Sequence, residues 1–246
     1  RYAEHRTLKG REVYFYQGTD FIRDVEEETR REICHFFGCA EAELRPVSGQ
    51  MANEVVFKAV LRYRAASEGL KGSRRLRRVL NNDLTKGGHL SAQPMGALRD
   101  FVRLDPRLER PAVVNFPVLP GNPYKIDIEA AKRLIAEERP ELIIFGKSMV
   151  LHREPVREIR AFLEEQGIEA LVLYDMAHVL GLVGPHFQEP FAEGADLITG
   201  STHKTFFGTQ RGIVAANWRE DEKHYALWES VRSRTFPGSV SNHHLG

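Results

Sequence analysis

The sequence predicts an α/β fold: a mainly parallel sheet covered by helices on both faces. Two observations carry this. Five short runs, AVVNF (112–116), ELIIF (141–145), ALVLY (170–174), DLIT (196–199) and GIVAA (212–216), are apolar almost throughout rather than alternating. That is the pattern of strands buried on both faces. The first three runs are separated by stretches of helical periodicity, and strand–helix–strand alternation is how parallel neighbours are joined.

In chain order, residues 1–20 hold Tyr2, Tyr14, Phe15, Tyr16 and Gly18 without a clear period and read as irregular structure. From Asp20 to about Phe37, the positions Phe21, Ile22, Val25, Ile33 and Phe37 share one helical face, with Gly38 as C-cap. Ser48-Gly49-Gln50 then precedes Val55, Val56, Ala59, Val60 and Leu61, so a loop opens a second helix with Ser48 near its N-cap. The segment Gly69–Arg78 carries Lys71, Arg74, Arg75, Arg77 and Arg78. It reads as a solvated surface loop; a polyphosphate or nucleic-acid patch is the alternative, which the balanced total charge does not support. Helical patterns follow at 128–136 and at Pro155–Gln166, the second ended by Gly167. No internal repeat and no low-complexity segment is visible.

The composition narrows the function classes. Lys and Arg number 35 against 34 Asp and Glu, a net charge of +1 that argues against a dedicated nucleic-acid binder. No apolar run is long enough to span a bilayer, so no membrane partner is expected. No charged and apolar leader opens the chain. Cys34 and Cys39 are the only cysteines, too few for a disulfide scaffold, and a cytoplasmic compartment is the simplest reading. Their spacing lacks further ligands nearby and suits packing rather than metal; no metal site is expected. Arg1 replaces an initiator Met and the chain stops after Ser-Asn-His-His-Leu, so a piece of a longer protein is expected.

Ligands of open parallel sheets sit beyond the carboxyl ends of the strands. After ALVLY comes Asp175-Met176-Ala177-His178; after DLIT comes Gly200-Ser201-Thr202-His203-Lys204-Thr205; after ELIIF comes Gly146-Lys147-Ser148; and Gly87-Gly88-His89-Leu90-Ser91 lies ahead of the middle strands. An acid, a lysine and histidines should therefore meet at one sheet edge. An Asp and a Lys at neighbouring strand ends suit pyridoxal 5′-phosphate (PLP): the Lys forms the Schiff base, and the Asp pairs with the protonated pyridine nitrogen. His89 could lie flat on the ring, and Ser48-Gly49-Gln50 at a helix start suits the phosphate. Singly, each feature has a plainer reading: a helix cap, a surface lysine, a turn histidine. Their order and common placement at strand ends outweigh that.

The segments YDMAHVLGLV and STHKTFFGTQRG resemble the signature of the serine hydroxymethyltransferases, PLP enzymes of the aspartate-aminotransferase fold type. RYAEH, YFYQGTDFI, VSGQMAN and GGHLS resemble further motifs of that family in the same order, so the likeness covers nearly the whole chain. It implies a three-layer αβα large domain over 1–246 with a seven-stranded sheet, the small C-terminal domain and an N-terminal segment lying outside it. Carried over by position, Lys204 is the Schiff-base lysine with His203 beside it near the phosphate, and Asp175 is the ring-nitrogen partner. His178 and Ser148 lie by the ring hydroxyl, His89 stacks on the ring, and Ser48, Gly49, Gln50 and Ser201 surround the phosphate. Tyr2, Glu4 and Tyr16 match residues that reach the site from a partner subunit, Glu4 as the acid–base group, so a homodimer with a shared site, or a tetramer, is implied.

Departures from the family's motifs cluster around the phosphate and substrate. Gln50 stands where the family has a second Ser, and Ala92 where it usually has His. Gln210 replaces an Arg, with Arg211 displaced by one, and Ser241 and Asn242 replace glycines. The Asp/His/Lys set is kept, which suggests related chemistry on a changed substrate. KGGHLSAQPMGALRDFV and STHKTFFGTQRG look most like the L-threonine transaldolase branch. Those enzymes cleave threonine to acetaldehyde and a bound glycine quinonoid, then add that carbanion to a second aldehyde. Glu4, Gly87, Gly88 and Leu90 match positions near the family's folate, so tetrahydrofolate-dependent hydroxymethyl transfer is the alternative. A non-catalytic PLP-binding homologue, motivated by the altered phosphate loop, is the alternative of another class.

Overall fold

The structure is a computed structural model that describes residues 5–8, 11–14 and 18–240. The start of the chain holds two strands where irregular structure is expected: β1 (His5–Leu8) and β2 (Arg11–Tyr14) pair as an antiparallel hairpin. Helix α1 (Asp20–Phe37) ends at Gly38, whose φ of 63° is the left-handed conformation a helix C-cap needs. Then come β3 (Glu41–Glu43), α2 (Gly49–Ser67) and β4 (Val79–Asn81). A short pair, β5 (Leu104–Asp105) with β6 (Arg110–Pro111), precedes β7 (Val113–Asn115). A second pair, β8 (Val118–Leu119) with β9 (Asn122–Ile126), precedes α3 (Ile128–Glu138). The remainder is β10 (Leu142–Gly146), α4 (Val156–Glu165), β11 (Leu171–Asp175), β12 (Leu197–Ser201), β13 (Gly212–Ala216) and α5 (Tyr225–Thr235).

Seven strands form the main sheet in the order β3-β13-β12-β11-β10-β4-β7. From β12 to β7 all neighbours are parallel, and β13 runs antiparallel to both β12 and β3. The reversal has a local cause: the 202–211 connection is too short for the crossover that parallel strands require. Alternate strand residues point to opposite layers. Leu142, Ile144, Leu171, Leu173, Leu197, Val214 and Ala216 join the core under α2 and α5. Ile143, Phe145, Val172, Tyr174, Ile198, Ile213 and Ala215 join the core with α1, α3 and α4. This is the expected αβα arrangement. Helix α2 is the central one: Ala52, Val55, Val56, Phe57, Ala59 and Val60 are fully buried between sheet and α5.

The structure departs from the sequence reading in two further places. Of the apolar stripe on α1, only Ile33 and Phe37 are buried, whereas Phe21 is 77% exposed and Ile22 and Val25 are also exposed. Strands β3 and β4 and helix α5 were not expected. Strand β3 is masked in sequence by its two glutamates; Glu43 is buried because it pairs with Arg45. The basic stretch at 71–78 is a loop whose arginines are largely spoken for. Arg74 forks onto Glu141 (2.6 and 3.0 Å) and onto Glu68 (2.6 and 2.8 Å), and Arg78 meets Glu138 at 2.7 Å.

Cys34 and Cys39 are free thiols packed beside the core, and no metal-ligand cluster occurs among the described residues. Among those residues no helix is long and apolar enough to cross a membrane.

Candidate active site

The carboxyl ends of β10, β11 and β12 bring the candidate residues together. Asp175 closes β11 and is 2% exposed. Opposite it in register, on β10, stands Gly146, where a Cβ would lie 2.9 Å from the Asp175 Cβ. Only glycine lets the strand end come this close to the carboxylate side chain. The Gly146 carbonyl in turn accepts from the His89 N–H at 2.9 Å, which pins the Gly87-Gly88-His89 loop beside Asp175. Ser148 N–H donates to the Gly87 carbonyl at 2.8 Å, tying the same two loops, while its side chain is exposed.

Every contact Asp175 makes favours its ionised form. His89 Nδ1 lies 2.5 Å from Oδ2, Asn53 Nδ2 donates to Oδ2 at 2.9 Å, and Ala177 N–H donates to Oδ1 at 3.1 Å. Burial by itself would raise this carboxyl; the His89 hydrogen bond and charge, with the Asn53 and Ala177 donors, outweigh it and hold the carboxyl below the usual Asp range. An ionised carboxylate only accepts, so the shared proton is assigned to His89 Nδ1. The ring of His178 meets that of His89 edge to face, with centroids 5.0 Å apart and planes at 76°. Burial lowers the His178 pKa, and the positive charges of His89 and Lys204 lower it further.

Lys204 lies in the loop after β12 and donates from Nζ to Ser201 Oγ at 2.8 Å. Ser201 donates onward to the Ala177 carbonyl at 3.2 Å. Burial disfavours the ammonium form and lowers the Lys204 pKa, against an opposing pull from Asp175. The loop is held by Thr205, whose Oγ1 donates to the His178 carbonyl and accepts from the Gly181 N–H, both at 3.2 Å. His203 is exposed.

The α2 start supplies the remaining part. Ser48 is the N-cap, its Oγ accepting from the Met51 N–H at 3.1 Å. The N–H groups of Gly49 and Gln50 belong to the first helical turn, which has no intrahelical acceptors and favours an anion. Gln50 is exposed there and Gly49 is buried. Two contacts seat this helix end against the sheet. A Cβ at Gly49 would meet the Ser201 Cβ at 3.3 Å, and a Cβ at Gly212 would meet the Ser48 carbonyl oxygen at 2.1 Å. The Ser48–Gln50 turn is thus fitted onto the Ser201 side of the lysine loop.

Of the residues the sequence singles out, Lys204, Asp175, His178, His89, Ser201, Ser48 and Gly49 converge at these strand ends; Gln50, Ser148 and His203 line the exposed margin. Tyr2, Glu4 and Tyr16, with Ser241 and Asn242, lie outside the described residues. Sequence reasoning missed Asn53, Ser91, Thr199 and Thr205. Asn53 was visible inside VSGQMAN, but a lone Asn in a helix carries no sign of its partner 122 positions away.

The donor set fits PLP. An ionised carboxylate can accept from a protonated ring nitrogen, an amine of lowered pKa can join the aldehyde carbon, two imidazoles flank them, and a capped helix start can take the phosphate. A sheet of this order with these groups at its carboxyl edge is that of the fold type I PLP proteins. Comparison agrees: the family model described as serine hydroxymethyltransferase matches residues 2–245. Relatives named serine hydroxymethyltransferase include that of Archaeoglobus fulgidus, 36% identical over 246 residues, all of this chain and 48% of the relative. That of Thermoplasma volcanium is 34% identical over 232 residues, 94% of this chain and 48% of the relative. That of Pyrobaculum calidifontis is 36% identical over 246 residues, all of this chain and 50% of the relative. The chain belongs to the serine hydroxymethyltransferase family. It spans about half the length of the curated relatives it matches.

Proposed function

We propose that this chain is the cofactor-binding part of a PLP-dependent transferase that makes and breaks the Cα–Cβ bond of β-hydroxy-α-amino acids. The observation that carries the reading is the pair at neighbouring strand ends: a buried carboxylate held ionised and a lysine amine of lowered pKa. PLP, when bound, supplies an aldehyde for the amine and a ring that takes up electrons from the bond being broken. The chain's own residues do the rest. Asp175 holds the proton on the ring nitrogen, fixed charge placed where electron density develops. Lys204 would hold the cofactor through Nζ, whose lowered pKa favours the free amine that such a bond needs. Ser48, Gly49 and Gln50, with Ser201, hold the phosphate; His89 and His178 fix the ring's position. Glu4 takes the proton from the β-hydroxyl.

Within this chemistry we assign threonine transaldolation: threonine and an aldehyde give acetaldehyde and a new β-hydroxy amino acid without folate. The support is the resemblance: Gln50, Ala92, Gln210, Ser241 and Asn242 depart from the family at positions that match its phosphate and substrate sides, while the Asp/His/Lys set is intact. Serine–glycine hydroxymethyl transfer with tetrahydrofolate is the second reading, favoured by the names of the relatives. The full-length protein, loaded with PLP and given threonine plus an aromatic aldehyde, separates the two. Acetaldehyde released without folate supports transaldolation, and activity on serine that requires tetrahydrofolate supports hydroxymethyl transfer. Lys204→Ala should abolish both, and normal turnover in that variant would sink the assignment.

The working unit in this reading is a homodimer. Exposed apolar side chains next to site residues in the chain support it: Leu90 beside His89, Met149 beside Ser148, and Phe207, 96% exposed, after Lys204. Mixing Lys204→Ala and Glu4→Ala protomers should restore activity that neither shows alone if Glu4 crosses to the partner's site.

A further inference from the structure

Asn53 is fully buried in α2, and both of its amide hydrogens and its amide oxygen are engaged. One Nδ2 hydrogen goes to Asp175 Oδ2 at 2.9 Å and the other to Ser91 Oγ at 2.8 Å. Its Oδ1 accepts from Thr199 Oγ1 at 2.6 Å. The orientation of the amide follows from chemistry. An ionised Asp175 can only accept, so the nitrogen must face it; the oxygen then faces Thr199, whose hydroxyl must donate. Thr199 is itself fully buried, on β12 and in register with Asp175 on β11. Ser91 belongs to the loop that carries His89. Asn53 therefore links three elements, α2, β12 and the His89 loop, at the Asp175 carboxylate.

We infer that Asn53 is a positioning residue: anchored through its amide oxygen by Thr199, it fixes the Asp175 carboxylate and the His89 loop in the geometry that receives the cofactor ring. The inference rests on the reading of Asp175 as the ring-nitrogen partner. The relay has a direction. Asp175 selects the amide orientation, Thr199 holds the amide oxygen by donating to it, and the carboxylate remains ionised in a site where burial opposes charge. A charge-assisted hydrogen bond to a buried carboxylate carries about 10- to 100-fold in an equilibrium constant.

The test is a double-substitution cycle on PLP affinity in the full-length protein, with the parent, Asn53→Leu, Asp175→Ala and the double variant. Thermal unfolding of each checks folding. Asn53→Leu should weaken PLP binding about 10- to 100-fold, and in the Asp175→Ala background it should add less than about threefold, because its partner is gone. Thr199→Val keeps the shape of the side chain and should reproduce most of the loss, which covers the case of Asn53→Leu failing to fold. Asn53→Asp keeps the shape of the amide but sets two carboxyl groups side by side; it should move the acid limb of the pH dependence of the bound cofactor's absorption to higher pH. Equal losses in both backgrounds would overturn the inference, as would an unchanged pH profile in both Asn53→Asp and Thr199→Val. If Asp175→Ala itself binds PLP as tightly as the parent, the reading of the site fails instead.

Discussion

Replacing Lys147 by Met should destabilise this domain more than any substitution at its exposed lysines. Lys147 Nζ lies 2.6 Å from Glu154 Oε1, with the two side chains 3% and 1% exposed. Nζ also donates to the Tyr124 carbonyl at 2.9 Å, and Asn82 Nδ2 donates to Glu154 Oε2 at 3.2 Å. Removing the ammonium leaves a carboxylate buried without its counter-charge, a change that costs about 3–5 kcal/mol. For a domain of this size each kcal/mol moves the melting temperature by roughly 2–4 °C, so a fall of about 6–20 °C is expected. Burial already pushes the Glu154 carboxyl up, against the pull of Lys147. An acid whose folded pKa is raised stabilises the fold below its unfolded pKa and loses that contribution as pH rises through the folded pKa. The deficit of Lys147→Met should therefore shrink as the pH falls and Glu154 takes up a proton. Circular dichroism melts of the full-length protein at several pH values measure this, following the transition that includes this domain. Lys147→Met with Glu154→Gln should recover more than half of the loss, since the lone charge is gone while Asn82 keeps an acceptor. A Lys147→Met loss under about 1 kcal/mol, independent of pH, would refute the reasoning.

Other outcomes follow from the same geometry. Asp175 has a lowered folded pKa, so its contribution is present above the unfolded Asp value and is lost as pH falls through the folded one; Asp175→Asn should flatten that part of the acid denaturation curve, and an unchanged curve would contradict it. The lowered pKa of Lys204 means that its amine in the cofactor-free protein should react with a small aldehyde and borohydride at a rate that levels off below pH ~10.4, the ordinary lysine value; a rate still climbing there would remove the argument. Gly212→Ala would drive a methyl into the Ser48 carbonyl, 2.1 Å from the new Cβ. It should cost about 1–3 kcal/mol in denaturant unfolding and, if the Ser48–Gln50 turn holds the phosphate as proposed, weaken PLP binding, because that turn must move.

Much of this fold was legible because its cues are local. The ends of α1 come from Asp20 and the Gly38 cap, and α2 begins where Ser48 precedes an apolar run. Strands β10 to β13 lie within two residues of the apolar runs that announce them. Strands β3 and β4 were not legible: three residues each, β3 with two glutamates and β4 following a run of arginines, they are strands only because β13 and β10 offer them partners. Helix α5 had a usable signal in Leu227, Trp228, Val231 and Thr235, which share its buried face. The apolar start of α1 misled, since Phe21, Ile22 and Val25 suit a buried face yet are exposed.

The chemistry divides along the same line. Lys204, Asp175, His89, His178 and Ser48 stood out as candidates in the sequence alone, because each follows a strand or opens a helix in a motif whose neighbours fix its local backbone. What only the tertiary structure decided is how those groups are charged and oriented. Asp175 is held ionised by Asn53, which lies 122 positions away, and by His89, 86 positions away. Lys204 is kept partly buried beside Ser201, and Gly212 matters because β13 folds back onto Ser48. A pKa and a side-chain orientation are set by what lies within a few ångströms in space, and that sum of burial, charge and hydrogen bonds has no signature in the order of residues along the chain.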